Sequence, residues 1–431
     1  MRSGPLPSPR IETLQRRLTA DDAGAVEAFW QDVAAEGTPL IEPIPGDEDH
    51  ALVTFLWREG SSPSEQVPLR TVVVVSLLTG PDFHNHQMER LAGTDGWYRS
   101  YRIRTDVRTS YWLSPSDTLL SFFDKDREKS VERFNALYRQ KVIIPDPLNR
   151  HPFPEHGPPA LSCVTLPDAA PQPWLSARDG VPGGQVAQER FRSAILDNER
   201  DVWIYTPPGP GAENESSPLL VIFDGRQYVD WMAAPTTLDN LIAAGQVSPV
   251  LAVFVGNVRR RQELGRSPVF VDCLTEELLP WVRARAVVTA DPARTVIAGS
   301  SLGGFAAVFA AVRRPDLFGN ALSQSGAFNW WPGGQLAWEG LIQDIERMPP
   351  PPVRFWLDVG RFEDVPRFGA TPEEDGPTLL ATNRQLRDIL QAKGYEVRYT
   401  EFAGSHGSIW WRSTLADGLV TLLGLRDRPP H

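Results

Sequence analysis

The sequence predicts an α/β protein in which a doubly wound sheet is preceded by a smaller all-β sandwich. Three observations carry this. From residue 185 onward, short apolar runs alternate with helical patterns, which is how parallel strands joined by crossover helices read. Residues 52–113 instead hold short runs rich in Val, Thr and aromatics, separated by Gly, Pro and Asp clusters. Between the two lies a stretch dense in proline, from Pro145 to Pro159.

The elements follow in order. Residues 1–20 are polar, carry Pro5, Pro7 and Pro9, and read as a disordered tail. Asp22 to Glu36 has Val26, Phe29, Trp30 and Val33 on one face and predicts an amphipathic helix. The sandwich, assigned to residues 21–150, draws its strands from Leu52–Trp57, Arg70–Ser76, Trp97–Ile103 and Arg108–Leu113. Residues 121–142 are charged and read as a helix or a solvated excursion. The segment 151–184 reads as a Pro-rich linker without regular structure. In the second domain, 185–431, Arg190–Asp197 and Asp201–Thr206 predict a hairpin. Strands are expected at Leu219–Phe223, Val250–Val255, Val296–Ala298, Asn320–Ser325, Phe355–Val359 and Glu396–Phe402. Helices are expected after Asp224, over Val271–Val287 and Leu379–Lys393, and at the end of the chain.

Composition narrows the function classes. The chain has 431 residues and a net charge of −11, which argues against a nucleic-acid partner. No run approaches the roughly 20 apolar residues of a membrane span, and the start has no apolar core of a secretory signal. Cys163 and Cys273 are the only cysteines, which fits a reducing cytoplasm rather than a disulfide framework. His84 and His86 alternate on a loop with no thiolate or third ligand nearby, so no metal site is expected.

The chemistry centres on Val296-Ile297-Ala298-Gly299-Ser300-Ser301-Leu302-Gly303-Gly304. A Gly-x-Ser-x-Gly match means a nucleophile elbow when a strand runs into it and a helix leaves it, as here. Ser301 is then the nucleophile, and the Leu302 N–H at the helix start is one oxyanion donor. α/β-Hydrolases follow the order Ser, acid, His. Downstream histidines are His406, in a loop just past the last strand, and the terminal His431, so His406 is the expected base. The acid is expected after the strand Phe355–Val359, where Glu363 is the first choice and Asp364 the second. The second oxyanion donor is expected from Asp224-Gly225-Arg226, through the Arg226 N–H.

Taken together these residues resemble the enterochelin esterase family over nearly the whole chain. In the front domain the resemblance runs through Phe29-Trp30, Glu36 to Leu40, Val53 to Arg58, Met88 to Asp95, Trp97-Tyr98 and Asp146 to Asn149. In the rear domain it runs through Phe223-Asp224-Gly225, Arg260 with Glu263-Leu264, Glu276 to Pro280, Gly299 to Gly304, and His406 with Trp410-Trp411-Arg412. Such sequences often carry Asp directly after the histidine, whereas this chain has Gly407. The resemblance implies an immunoglobulin-like front sandwich. It also implies an esterase acting on the trilactone of a ferric catecholate siderophore inside the cell. That substrate is a trianion and calls for cations, and because its iron arrives already coordinated the resemblance implies no cofactor. Arg260, within Val258-Arg259-Arg260-Arg261, and Arg226 lie after strands at the carboxyl edge, where ligands bind in α/β sheets. Trp330 and Trp331 follow the strand Asn320–Ser325 on the same edge and offer aromatic faces for catechol rings. Two rival readings remain open: an esterase or acyltransferase acting on another acyl group, and a siderophore-binding module without activity.

Overall fold

The computed structural model describes residues 8–60, 73–76, 83–116, 140, 142–153, 161–209, 216–329, 337–348, 350, 352–364 and 377–424. The chain divides into two compact units, one formed by its first 171 residues and one beginning at Gln172.

In the front unit, helices α1 (Pro9–Thr19) and α2 (Ala25–Glu36) precede two antiparallel sheets. One sheet has the order β1-β2-β5-β4, from Leu40–Ile44, Asp47–Arg58, Gly96–Arg104 and Glu89–Arg90. The other has the order β3-β6-β8-β7, from Val73–Ser76, Arg108–Ser114, Leu161–Thr165 and Pro152–Phe153. Phe55 of β2 meets Tyr111 of β6 edge to face at 4.7 Å, so the sheets pack on one another as the alternating aromatic runs require.

The structure overturns two expectations from the sequence. The tail is not disordered after Ser8: Pro9 occupies the first helical position, where no N–H is needed, and Ser8 caps the helix by accepting from the Ile11 N–H. Ile11 and Leu14, one turn apart, are buried with Phe29, Trp30 and Val33. The segment 151–184 is not structureless either. Leu161-Ser162-Cys163-Val164-Thr165 forms β8 and pairs with β6 from Arg108↔Thr165 to Tyr111↔Ser162. The prolines flank a β-branched run rather than interrupt it, so a strand fits between them. The charged stretch 121–142 lies almost entirely outside the described residues.

The rear unit is an eight-stranded mixed sheet in the order β16-β15-β14-β13-β11-β12-β10-β9. The expected hairpin, β9 (Gln185–Ser193) and β10 (Asn198–Thr206), forms one edge and joins β12 (Leu251–Val255) antiparallel. From β12 the sheet is parallel through β11 (Leu219–Phe223), β13 (Thr295–Ser300), β14 (Asn320–Gln324), β15 (Arg354–Gly360) and β16 (Glu396–Phe402). The central strands are buried end to end, which is why they read as continuous apolar runs. The segment after β11 is two helices, α3 (Gly225–Asp230) and α4 (Ala234–Ala243). A short helix, α5 (Arg260–Leu264), follows β12. The long helix expected at Val271–Val287 begins earlier and is segmented: α6 (Pro268–Asp272), a π turn at Cys273–Leu278, and α7 (Leu279–Arg283). Helices α8 (Leu302–Arg313), α9 (Ala337–Arg347), α10 (Leu379–Ala392) and α11 (Ser408–Leu423) complete the unit. Separate apolar clusters form around Phe305 and Leu386 and around Leu415 and Leu419, and both draw on alternating residues of the same strands.

Candidate active site

Ser301 stands between β13 and α8 with φ 57° and ψ −123°, a backbone that a residue with a Cβ adopts only under constraint. Three hydrogen bonds supply it. The Ser301 N–H donates to the Gln324 carbonyl at 2.8 Å, while its own carbonyl accepts from Ala327 at 2.8 Å and Phe305 at 3.1 Å. Gly299 is required by close approach, since a Cβ there would lie 2.6 Å from the Gly303 carbonyl carbon. The strand and the departing helix therefore hold the serine up at the sheet edge.

His406 sits in the loop between β16 and α11, half-buried. Its Nε2 lies 2.9 Å from the Ser301 Oγ and its Nδ1 2.7 Å from the Glu363 Oε2. A carboxylate only accepts, so Nδ1 carries the proton and Nε2 is left to accept from the serine hydroxyl. Glu363 is buried, and its Oε1 accepts from the Gly360 N–H at 2.7 Å and the Ser325 hydroxyl at 2.6 Å. Of the two acid candidates the structure brings only Glu363 to the histidine. A tight turn after β15, closed by the Glu363 N–H on the Gly360 carbonyl, aims that side chain inward. Asp364 accepts from Thr378 at 2.9 Å, at the N-terminus of α10.

Leu302 begins α8, and Arg226 lies in the first turn of α3. These two N–H groups start helices at the carboxyl ends of neighbouring strands, β13 and β11. The first turn of a helix leaves its N–H groups without intrahelical acceptors. Gly225 is needed just before Arg226, because a Cβ there would lie 2.5 Å from the Phe254 carbonyl carbon of β12. The Arg226 side chain is exposed and pairs with Asp230 at 3.1 Å.

Arg260 is not a free cation. It grips Asp224 with two hydrogen bonds, Nε to Oδ1 at 2.6 Å and Nη2 to Oδ2 at 2.7 Å, and Asn257 adds a third donor to Oδ1. Asp224 is buried and left-handed at φ 58°, so this clamp pins the turn that leads into Arg226. Arg259 and Arg261 beside it are exposed. Trp330 and Trp331 lie outside the described residues. Asp358, inside β15, is fully buried; burial first, and the Glu363 charge after it, push its carboxyl up to about 7. His86 pairs through Nδ1 with the Tyr101 hydroxyl at 3.1 Å, and among the described residues no group of three metal-ligating side chains forms.

Ser325 and Trp411 escaped the sequence reading. The Trp411 Nε1 donates to the Ser325 Oγ at 2.9 Å, and the indole and the His406 ring meet at an interplanar angle of 89° with 4.8 Å between centroids. Their signals were present: Ser325 ends a strand at the carboxyl edge, and Trp411 belongs to the run Trp410-Trp411-Arg412.

A mixed sheet carrying a strained serine at a strand–helix elbow, bonded through histidine to a buried glutamate, defines a carboxylic ester hydrolase of the α/β-hydrolase type. The second half of the chain, residues 193–422, matches the family model for putative esterases. Residues 52–175 match the model for the N-terminal part of enterochelin esterases. The chain belongs to the enterochelin esterase family. It is 32% identical to an iron(III) enterobactin esterase of Dickeya dadantii, over 97% of this chain and 96% of that one. It is 30% identical to the corresponding protein of Escherichia coli K12, over 94% and 98%. Among solved structures, the enterobactin esterase from Shigella flexneri in the presence of enterobactin superposes with a TM-score of 0.73 at 26% identity, over 93% of this chain and 98% of that one. The ferric enterobactin esterase of Salmonella typhimurium superposes with a TM-score of 0.72 at 26% identity, over 92% and 98%.

Proposed function

We propose that this protein hydrolyses the ester bonds of a ferric catecholate siderophore of the enterobactin type, with Ser301 as nucleophile, His406 as general base and Glu363 as the acid that orients it. The observation that carries the reading is the continuous Glu363–His406–Ser301 hydrogen-bond line in a chain whose full-length relatives are iron(III) enterobactin esterases.

The Ser301 Oγ attacks the ester carbonyl and gives its proton to the His406 Nε2, while Glu363 stabilises the imidazolium. The tetrahedral oxyanion is held by the Leu302 N–H, with the Arg226 N–H as second donor. On collapse the C–O bond breaks, and the leaving alkoxide takes the proton from His406. Water then attacks the acyl-enzyme, with His406 again accepting and returning a proton. The iron arrives coordinated by the substrate and takes no part in these steps.

Arg226, Arg259 and Arg261, exposed near the carboxyl ends of β11 and β12, are suited to an anionic substrate despite the chain's negative charge. Cys163 and Cys273, both buried thiols, fit a reducing compartment, and a cytoplasmic site of action belongs to the proposal. No helix among the described residues is long and apolar enough to cross a membrane.

The test is incubation with ferric enterobactin, following cyclic trilactone, linear oligomers and 2,3-dihydroxybenzoyl-serine by liquid chromatography and mass spectrometry. Linear products that disappear in Ser301→Ala are expected. An intact trilactone beside rapid turnover of a simple ester would move the substrate elsewhere in the wider esterase family. Product formation undiminished in Ser301→Ala would overturn the mechanism.

A further inference from the structure

We propose that Ser325 and Trp411 are positioning residues for the acid of the triad: the Trp411 indole orients the Ser325 hydroxyl, and that hydroxyl locks the rotation of the Glu363 carboxylate facing His406. This rests on the serine-esterase reading and adds to it a second set of groups acting through Glu363.

The geometry constrains each link. Ser325 is fully buried, left-handed at φ 45°, and held by its N–H on the Asp358 carbonyl at 2.8 Å. Its Oγ lies between the Trp411 Nε1 at 2.9 Å and the Glu363 Oε1 at 2.6 Å. An indole N–H can only donate, so it occupies a lone pair of the hydroxyl. The single hydroxyl proton is then directed at Glu363. With the Gly360 N–H at 2.7 Å, Oε1 holds two donors, and the carboxylate cannot turn without breaking both. Oε2 is thereby fixed toward the His406 Nδ1 at 2.7 Å. Trp411 is itself anchored, since its carbonyl accepts from the Gln324 Nε2 at 2.7 Å, in the strand that delivers Ser325. Gln324 also accepts the Ser301 N–H through its carbonyl. Nucleophile and acid are thus referenced to the same two residues, Gln324 and Ser325.

An isolated buried serine would be content with any acceptor. Here the donor that sets its direction also packs its ring against His406, so one side chain steadies both the base and the acid's partner. Such a group alters how the transition state is held and leaves ground-state binding alone, which predicts a change in kcat with little change in KM.

The experiment uses the full-length protein, p-nitrophenyl butyrate as substrate and a fluorophosphonate as a label for Ser301, on Ser325→Ala, Trp411→Phe and the double variant. Hydrogen bonds to charged groups of this kind predict a loss in kcat of about tenfold to a hundredfold for Ser325→Ala. KM should stay within about twofold, and the labelling rate should fall by the same factor as kcat. Trp411→Phe keeps an aromatic ring beside His406 and loses the N–H, so its loss should be smaller. Because the N–H acts through the hydroxyl, the double variant should be no slower than Ser325→Ala. The proposal is overturned if a folded Ser325→Ala keeps kcat within about twofold, if KM and kcat change together, or if the losses multiply in the double variant. Should Ser325→Ala fail to fold, Trp411→Phe decides: a kcat-only loss supports the proposal and an unchanged kcat overturns it. A wild-type protein that resists the fluorophosphonate, or a Ser301→Ala variant as fast as wild type, would instead overturn the underlying esterase reading.

Discussion

At the scale of single residues, the site separates groups of the same type by where a turn aims them. Glu363 and Asp364 are adjacent, yet one is buried against His406 and the other accepts from Thr378 at the surface. Glu363→Gln should therefore cost far more activity than Asp364→Asn, by about two orders of magnitude or more, because the amide no longer stabilises the imidazolium. Steady-state kinetics on a simple ester ranks the two, and a reversed ranking would reassign the acid. Ser301→Ala and His406→Ala should each lower kcat by about three orders of magnitude or more without loss of fold, read by circular dichroism alongside kinetics. Asp358 carries a different consequence. Its carboxyl is raised to about 7 in the folded protein against an ordinary 3.8, by burial and by Glu363. The folded state therefore holds this proton more tightly than the unfolded chain. The stability linked to it is full below the unfolded value and is lost as pH rises through about 7. Asp358→Asn, whose amide oxygen can still accept from the Trp356 indole, should melt a few degrees above wild type at about pH 8 and show a smaller gap at about pH 5. Thermal melts at both values check this, and a gap that widens at the lower pH would refute it.

At the scale of elements, the turn from β11 into α3 is the instructive one. Sequence reading offered Arg260 as a cation for the substrate, because it follows a strand at the carboxyl edge. In the fold its guanidinium is consumed by Asp224, which is buried beside the elbow helix: a Cβ at Gly303 would come within 3.1 Å of the Asp224 Oδ2. Among the described residues, removing the arginine leaves the buried Asp224 carboxylate with Asn257 as its donor, and it perturbs the turn that presents the Arg226 N–H, the proposed second oxyanion donor. Arg260→Ala should thus slow hydrolysis of a neutral ester and a ferric catecholate alike, by about tenfold or more, since the defect lies in oxyanion binding rather than substrate charge. Parallel kinetics on both substrates tests this; a loss confined to the catecholate would restore Arg260 as a binding cation. The N-terminal helix gives a second element-level lesson. Three prolines in five residues read as a break in structure, yet Pro9 enters the helix, at a position that needs no N–H, and Ile11 and Leu14 three apart supply its buried face.

For the whole molecule, charge is the quantity that matters. The chain carries −11, and a ferric tris-catecholate is a trianion, so long-range attraction is absent and binding must be local. Arg226 and Arg259 are exposed near the site's edge of the sheet. Arg226→Ala and Arg259→Ala should raise KM for the ferric catecholate by a few-fold each, about 1 kcal/mol or less per exposed pair, and leave a neutral ester unchanged. The penalty should shrink as salt rises, because exposed charges are screened beyond about 10 Å at 0.1 M. A salt titration of KM on both substrates reads this out, and an equal effect on both would assign these arginines to structure.

What the sequence determined by itself was whatever depends on local pattern: the strand–helix alternation of the rear unit, the glycine spacing around Ser301, and the hairpin edge at β9 and β10. These are legible because apolar periodicity and close backbone approach act over a few residues. What only the tertiary structure decided was the pairing of groups far apart in the chain. Glu363 rather than Asp364 is brought against His406 by a turn closing on Gly360. Arg260 is claimed by Asp224 across 36 positions. β8 is recruited from a proline-rich segment by the open edge of β6. Ser325 is joined to Trp411 across 86 positions. Each outcome follows from a buried polar group or an unpaired strand edge taking whichever partner the fold brings within about 3 Å, a distance that no local pattern encodes.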